Sequence, residues 1–445
     1  MTESQRAPEG LSSKPRIKPA DAGDTRPVSV SARLGRLQFH NSGKFRVLQI
    51  SDIQDGPKVA KDTIALIEAS LDTVRPDLVI FTGNQIAGYD SAFAETFRKR
   101  RWSGVRADAD GSNSANGSNG SGGEGGPDEA ALDRTRDLVR GAVAQFLEPL
   151  VSRGVPFAVT YGNHDFQCGL DNTELDAIYR EFPGCLNAPP SPDHLMPEQT
   201  VHTCAPGTLA LPVAGIERAG NVLGVVLVDS GDYVHGGGFA SPSDEALAFL
   251  RDVPAKIGAP SLVFQHMPLP QYYDVLTEVP STAAFAMQGY RTHDYAYFVL
   301  DETKTQPGGY LGEGVSCPDA DCGEFDILRG GHGGFIGVSA AHDHRNGFVG
   351  ELDGLLLIAT PTCGFDTYGP APAKRATRLI EFDIRHPYQP RTQLLEFGEI
   401  VGKPSSKKTY TYALNQKPPQ DGEGDDLLRK PSLWRRVTAW LARRG

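Results

Sequence analysis

Apolar runs of five to eight residues recur along this chain, each closed by a short polar turn, and between some of them the spacing becomes helical. "FRVLQISD" (45–52) predicts a strand that ends in an acid. "VAKDTIALIEASLDTVR" (59–75) places Ala60, Ile64, Ile67, Leu71 and Val74 on one helical face, and Pro76 stops it. "DLVIFTG" (77–83) is almost wholly apolar, as expected of a strand covered on both faces. Strand, amphipathic helix and buried strand make a βαβ unit, which implies parallel pairing and a right-handed crossover.

The pattern then breaks and resumes. "ADADGSNSANGSNGSGGEGGPDEA" (107–130) is rich in Gly, Ser and Asn and buries too little apolar surface to offset its ordering entropy. It is expected to be a flexible surface insert, not a domain boundary. Residues 131–151 predict a helix with Leu132, Leu138, Val139, Val143, Phe146, Leu147 and Leu150 inward, and "VPFAVTY" (155–161) a third strand. Further strands are expected in "VLGVVLVDSGDY" (222–233), "SLVFQHMPLP" (261–270), "FIGVSAAHDHRN" (335–346), "GLLLIATPT" (354–362) and "RATRLIEFDI" (375–384). The expected organisation is a disordered tail over 1–30, one domain over 31–400, a linker over 401–430 and a terminal helix over 431–445. In that helix "SLWRRVTAWLARR" (432–444) puts Leu433, Trp434, Val437, Trp440 and Leu441 on one face, with arginines around them. A basic amphipathic helix suits an anionic membrane surface, a partner's groove or its own domain.

Composition narrows the function classes. The net charge of −11 over 445 residues argues against nonspecific nucleic-acid binding, which needs a basic surface. The polar start has no apolar core of a secretory signal, and no stretch approaches the length of a membrane span. A cytoplasmic location is expected, peripheral to a membrane if the tail helix binds one. Six scattered cysteines form no C-x-x-C pair. Cys317 and Cys322 are close enough in sequence to bridge or hold a metal, but plain thiols are the expectation in a reducing compartment.

The chemistry gathers at strand ends: Asp52, Gln54, Asn84, Asn163, His164, His266, His342 and His344. Ligands of open α/β sheets bind outside the carboxyl ends of the strands. Acids, amides and imidazoles converging on one rim suit divalent cations of the Zn, Mn or Fe type. Taken singly, each motif has an ordinary structural explanation: an Asx-turn for "SDIQ", a left-handed Asn for "GNHD", a satisfied core histidine for "QHMP", an exposed loop for "HDH". Their order along successive strands is what points to a shared site.

That order resembles the calcineurin-like metallophosphoesterase signature D-x-H, G-D, G-N-H-[DE], H, G-H-x-H. "DSGDY", "HMPLPQYY" and "HDHRNGFVGELDGLLL" further resemble the branch of small purple-acid-phosphatase-like proteins of plants and fungal phosphoprotein phosphatases. The resemblance runs from about Lys44 to about His386. It implies a four-layer α/β/β/α fold of two stacked mixed sheets flanked by helices, with one or two divalent metal ions (Mn, Fe or Zn) at the rim. By position, one ion would be held by Asp52, Gln54, Asn84 and His344, the other by Asn84, Asn163, His266 and His342. His164 matches the residue that steadies the transition state or protonates the leaving oxygen. Two cations about 3.5–4 Å apart clamp the attacking and leaving oxygens of a phosphoryl displacement.

The chain departs from that signature three times. Gln54 stands for the His of D-x-H, Asn84 for the acid of G-D, and Ala341 for the Gly before His342. An amide cannot bridge two cations with negative charge. Weak binding at one or both sites is therefore expected, compensated if any of Asp55, Asp90, Asp165, Asp229, Asp232 or Asp343 points inward. The function implied is metal-dependent hydrolysis of a phosphate ester. The alternative is a catalytically impaired homologue that binds phosphorylated ligands or a partner. Loops at 233–240 and 286–297 are candidate rims for the substrate.

Overall fold

A computed structural model describes residues 26–103, 128–331 and 333–402. The expected N-terminal tail up to residue 25, nearly all of the low-complexity insert, the linker from residue 403 and the terminal helix lie outside the described residues. The domain itself starts slightly before residue 31. Ser29 is buried, caps the short helix Val30–Leu34 and donates from Oγ to Asp77 O (3.0 Å). Among the described residues, no helix is long and apolar enough to cross a membrane. All six cysteines are free thiols.

Two mixed sheets form the centre. The first has five strands in the order Arg391–Glu396, Ala376–Asp383, Lys44–Ile50, Leu78–Thr82 and Phe157–Thr160. The last three run parallel, as the βαβ reading requires. The second has seven: Val349–Leu352, Leu355–Ala359, Phe335–Ala340, Ser261–Gln265, Asn221–Val228, Thr208–Ala214 and His202–Ala205. A separate small sheet joins Leu276–Val279, Tyr297–Leu300 and Met287–Gln288.

Side chains alternate across a strand, so a strand buried on both faces feeds two cores. Phe45, Val47, Leu78 and Ile80 of the first sheet pack with Val225, Leu227, Leu262 and Phe264 of the second. Their chain neighbours Leu48, Ile50, Val79 and Phe81 turn the other way, onto the helices Lys61–Val74 and Glu129–Arg153. On the far side Val226, Val228 and Val263 meet the helix Asp244–Ile257. Helix, sheet, sheet, helix is the four-layer arrangement expected.

Two helical expectations shift in detail. The first helix buries Thr63, Leu66, Ile67, Ser70, Leu71 and Val74, with Ile64 only half-buried, so its inward face is rotated from the apolar stripe. The hydroxyls explain this. Thr63 Oγ1 donates to Asp55 Oδ2 (3.0 Å) and Ser70 Oγ to Leu66 O (2.7 Å), so both are buried without loss. The second helix begins at Glu129, capped by Asp128, inside the expected insert. Its Leu132 and Leu138 are half-buried, not core.

The parallel strands deliver their carboxyl ends to one rim. There Cys363 N–H donates to Ser51 O (3.1 Å) and Thr362 Oγ1–H to Asp52 O (2.7 Å), which ties the second sheet to the first. Gly83 sits at this junction with φ 91°, and a Cβ there would stand 2.7 Å from both His266 Nδ1 and Gly162 N. Left-handed backbone and overpacking both oppose a side chain. Gly83→Ala is therefore expected to destabilise the domain by about 2–4 kcal/mol, read as a lower midpoint in urea. An unchanged midpoint would show that the junction is loose.

Candidate metal centre

Four site residues adopt left-handed backbone although none is glycine: Asp52 (φ 50°), Gln54 (φ 46°), Asn84 (φ 54°) and His342 (φ 68°). Each such conformation costs on the order of 1 kcal/mol or more and persists only where surrounding contacts impose it. Ala341, which stands for the Gly of the signature, is not among these residues, so its Cβ meets no left-handed backbone.

The strain aims side chains at one another. Asp52 Oδ1 accepts from Asn84 Nδ2 (3.2 Å) and lies 3.3 Å from His344 Nε2, while its Oδ2 accepts from His342 N–H (3.2 Å). Asn163 Oδ1 accepts from Asn84 Nδ2 (3.1 Å) and lies 3.1 Å from His266 Nε2. His266 Nε2 in turn is 3.2 Å from His342 Nδ1. Six of the seven expected ligands thus form one unbroken chain of contacts. Gln54 is apart from it: its Nε2 donates to Tyr89 OH (2.7 Å), and its buried Oε1 has no hydrogen-bond partner among the described residues.

Hydrogen-bond partners assign the ring tautomers. His266 Nδ1–H donates to Thr82 O (2.9 Å) and His344 Nδ1–H to Tyr368 O (2.7 Å), because a carbonyl can only accept. In the neutral His266 ring Nε2 then carries a lone pair, directed at Asn163 Oδ1, while His344 Nε2 faces Asp52 Oδ1 and donates to it when protonated. Burial depresses the pKa of His266 and pushes that of His342 well down, so spare protons do not relieve the first pair. Acceptors facing each other at 3.1 Å, as His266 Nε2 and Asn163 Oδ1 do, repel unless a cation joins them. Donor atoms bound to one ion at about 2.1 Å stand about 3.0–3.4 Å apart, so these spacings fit a coordination shell. Backbone carbonyls holding the remote ring nitrogens are the usual support of metal-binding histidines.

Among the described residues no group of three or more His, Cys, Asp or Glu side chains is arranged to hold a metal ion. Each half of the rim has two of them, Asp52 with His344 and His266 with His342. Amides would have to complete either set: Asn163 beside the histidine pair, and Gln54 Oε1 if it swings beside Asp52.

Asn84 separates the halves. Its Oδ1 accepts from His164 N–H (2.8 Å), which fixes the amide so that Nδ2 must face Asp52 and Asn163. An N–H donor therefore stands between the two halves. His164 has its Nδ1–H on Gln167 Oε1 (2.8 Å), and Gln167 is oriented by donating from Nε2 to Lys99 O (3.0 Å). His164 Nε2 is left as an acceptor, with Tyr89 edge-on to the ring at 4.9 Å. Gln167 and Tyr89 are site residues that sequence reasoning misses, and of the two Gln167 has a sequence signal, three residues after His164 in a helical turn. Tyr233, at the start of the rim loop expected over 233–240, accepts from Asn163 Nδ2 through its hydroxyl (2.7 Å).

The six candidate compensating acids are committed elsewhere. Asp165 accepts three backbone N–H groups, from Asn84, Ile86 and Gly162. Asp55 serves Ala60 and Thr63, Asp90 caps a turn at Ala92, and Asp343 holds Ser316 and Asn346. Asp229 binds Asn172, and Asp232 pairs with Arg101. The rim loops contribute aromatics: Phe239 lies edge-on to His342 at 4.5 Å and stacks on Tyr290.

Burial lowers the His164 pKa to about 4, with Gln167 opposing the shift. For Asp52, burial raises the pKa, but His344, His266 and His342 outweigh it and bring it to about 2. In both cases the unfolded chain binds the proton first, so acid favours unfolding. The His164 contribution is complete above pH 6.5 and lost toward pH 4, worth about 3 kcal/mol at about 1.4 kcal/mol per unit. That of Asp52 is lost between about pH 4 and 2. Urea unfolding of EDTA-treated protein is expected to show markedly lower stability at pH 4.5 than at pH 7.5. Equal stabilities would refute a neutral His164 in the folded state.

Residues 45–209 match the family model for Calcineurin-like phosphoesterase. The chain is 22% identical over 397 residues to "Probable inactive purple acid phosphatase 29" of Arabidopsis thaliana, covering 80% of this chain and 82% of that protein. It is 20% identical over 386 residues to "Probable inactive purple acid phosphatase 14" of the same plant, covering 78% of each. To "Phosphatase DCR2" of Saccharomyces cerevisiae it is 24% identical over 177 residues, 36% of this chain and 23% of that protein.

Proposed function

We propose that this chain, which carries a calcineurin-like phosphoesterase domain, hydrolyses phosphate monoesters with the help of divalent cations that do not share a bridging carboxylate. The observation that carries the reading is the acceptor–acceptor contact of His266 Nε2 with Asn163 Oδ1 at 3.1 Å, beside a buried Gln54 Oε1 that has no hydrogen-bond partner among the described residues. A neutral ring and an amide oxygen held in this way suit a cation better than they suit one another.

Asn163, His266 and His342 would hold one cation; Asp52, His344 and Gln54 would hold the other more weakly. When bound, such ions polarise phosphoryl oxygens and make a bound water acidic enough to attack. Asn84 keeps the two halves apart and holds the backbone of His164. His164 presents Nε2 as a lone pair, so it receives a proton before it can give one. A phosphate dianion beside the ring favours uptake of a proton from solvent at Nε2, and the imidazolium then gives that proton to the leaving oxygen. Gln167 keeps the ring turned for the exchange.

The test is metal content together with turnover. Protein stripped with EDTA and reloaded with Mn2+ or Zn2+ is expected to hydrolyse p-nitrophenyl phosphate, with retained metal measured by elemental analysis. Absence of hydrolysis with every common divalent ion would overturn the enzymatic reading.

A second reading has its own support. The Asn84 N–H group occupies the place where the family signature has an acid, and two relatives carry "inactive" in their names. On that reading the rim binds phosphorylated ligands without turnover, and phosphate affinity persists in EDTA.

A further inference from the structure

The acid that faces the weaker half of the rim is Glu313, which none of the signature motifs contains. It lies on the long connection after the strand Tyr297–Leu300, and that connection is laced to the loop over residues 342–346. Asn346 Oδ1 accepts from Gly312 N–H (3.0 Å) and Glu313 N–H (3.1 Å), and Asp343 accepts from Ser316 N–H (3.0 Å). Glu313 Oε1 accepts from Arg345 N–H (2.9 Å), the residue next to His344. Tyr368 closes the arrangement: its ring stacks on His344 at 4.0 Å, and its hydroxyl donates to Glu313 Oε1 (3.5 Å). The Arg345 bond and the Tyr368 contact set this carboxyl group on the His344 side of the rim, where burial raises its pKa and the charges of His344 and Arg345 draw it back down.

We propose that Glu313 supplies, from outside the ligand set, the negative charge that Asn84 lacks, and that the Asp52–His344 half takes a hard, oxygen-preferring divalent cation of the Mn2+ or Mg2+ type. This rests on the metal-dependent reading above. The two halves differ in donor chemistry. One has two imidazoles and an amide oxygen, a set suited to Zn2+ or Fe2+. The other has one imidazole, the Asp52 carboxylate, the unpartnered Gln54 Oε1 and a second carboxylate nearby, a set suited to harder ions. Gln54 Oε1 is the independent sign on this side: a buried oxygen without a donor is a group that a cation would satisfy.

Glu313 acts by charge, so its removal must weaken one ion and spare the other. Glu313→Gln keeps the oxygen that accepts from Arg345 N–H and removes only the charge. Metal-stripped wild type and variant are titrated separately with Mn2+, followed by the paramagnetic resonance of the free ion, and with Zn2+, followed by calorimetry. The expected result is a loss of about tenfold or more in Mn2+ affinity with Zn2+ affinity unchanged. Equal Mn2+ affinity in the two proteins overturns the proposal, and so does parallel loss of both ions, which would mark a structural role. If wild type binds neither ion, the metal-dependent reading itself fails, a result that the comparison with the variant does not enter.

Discussion

Replacing Asn84 by aspartate is expected to make the stability of this protein strongly dependent on metal. In wild type the Asn84 amide donates to Asp52 Oδ1 at 3.2 Å and Asn163 Oδ1 at 3.1 Å, so the rim is cross-linked by its own side chains. A carboxylate of the same shape keeps the bond from His164 N–H and turns the other contacts into oxygen facing oxygen. Two carboxylates at such a distance repel by several kcal/mol at an effective dielectric near 20, partly relieved by protonating one of them. Metal-free Asn84→Asp is therefore expected to be about 2–4 kcal/mol less stable than wild type. Added Mn2+ should more than restore it, because the new acid can be shared by both halves. Turnover of p-nitrophenyl phosphate should rise at least about tenfold, since the four histidines at 164, 266, 342 and 344 are in place and the shared charge is what the substitution restores. Chemical unfolding with and without Mn2+, beside steady-state rates, checks both parts. If the variant matches wild type in EDTA, the amide does not hold the position the hydrogen bonds assign to it.

Removing the His164 imidazole is the second large effect. His164→Ala should lower kcat by about two to three orders of magnitude while bound metal stays at the wild-type level. The division follows from its contacts. The ring bonds to Gln167 and faces Tyr89, and its hydrogen bond to a ligand side chain is a long one of 3.4 Å, to Asn163 Nδ2. A variant that also loses its metal would place His164 in the ligand set. One with unchanged kcat would assign proton transfer elsewhere. His266→Ala is the contrasting change, since His266 bridges Asn163 and His342 and its loss should remove the cation first.

Much of this is legible in the sequence because it is local. The strand Leu78–Thr82 is five buried residues in a row, and the run "LVIFT" alone specifies it. The order of acid, amide and imidazole at successive strand ends locates the rim, because parallel strands must put their carboxyl ends on one side. Other features have no local signal. The inward face of Lys61–Val74 departs from the apolar stripe because buried hydroxyls bond within the fold, which no apolar count detects. Acids close to the motifs are the natural candidates to restore charge, yet all six are spent on backbone N–H groups, amides, a hydroxyl or Arg101.

What the chain determined by itself is the alternation that makes two-faced strands, the positions at which polar side chains leave them, and the loss of an imidazole at Gln54 and of an acid at Asn84. Composition and spacing suffice for these, since each depends on residues a few positions apart. The tertiary structure alone decided which way each amide points, which tautomers His266 and His344 hold and that Glu313 meets Arg345 and Tyr368. These depend on single hydrogen bonds between segments far apart in sequence, such as His266 with Thr82 and Glu313 with Arg345. A donor's direction is set by the partner it meets, and only folding brings the partner there.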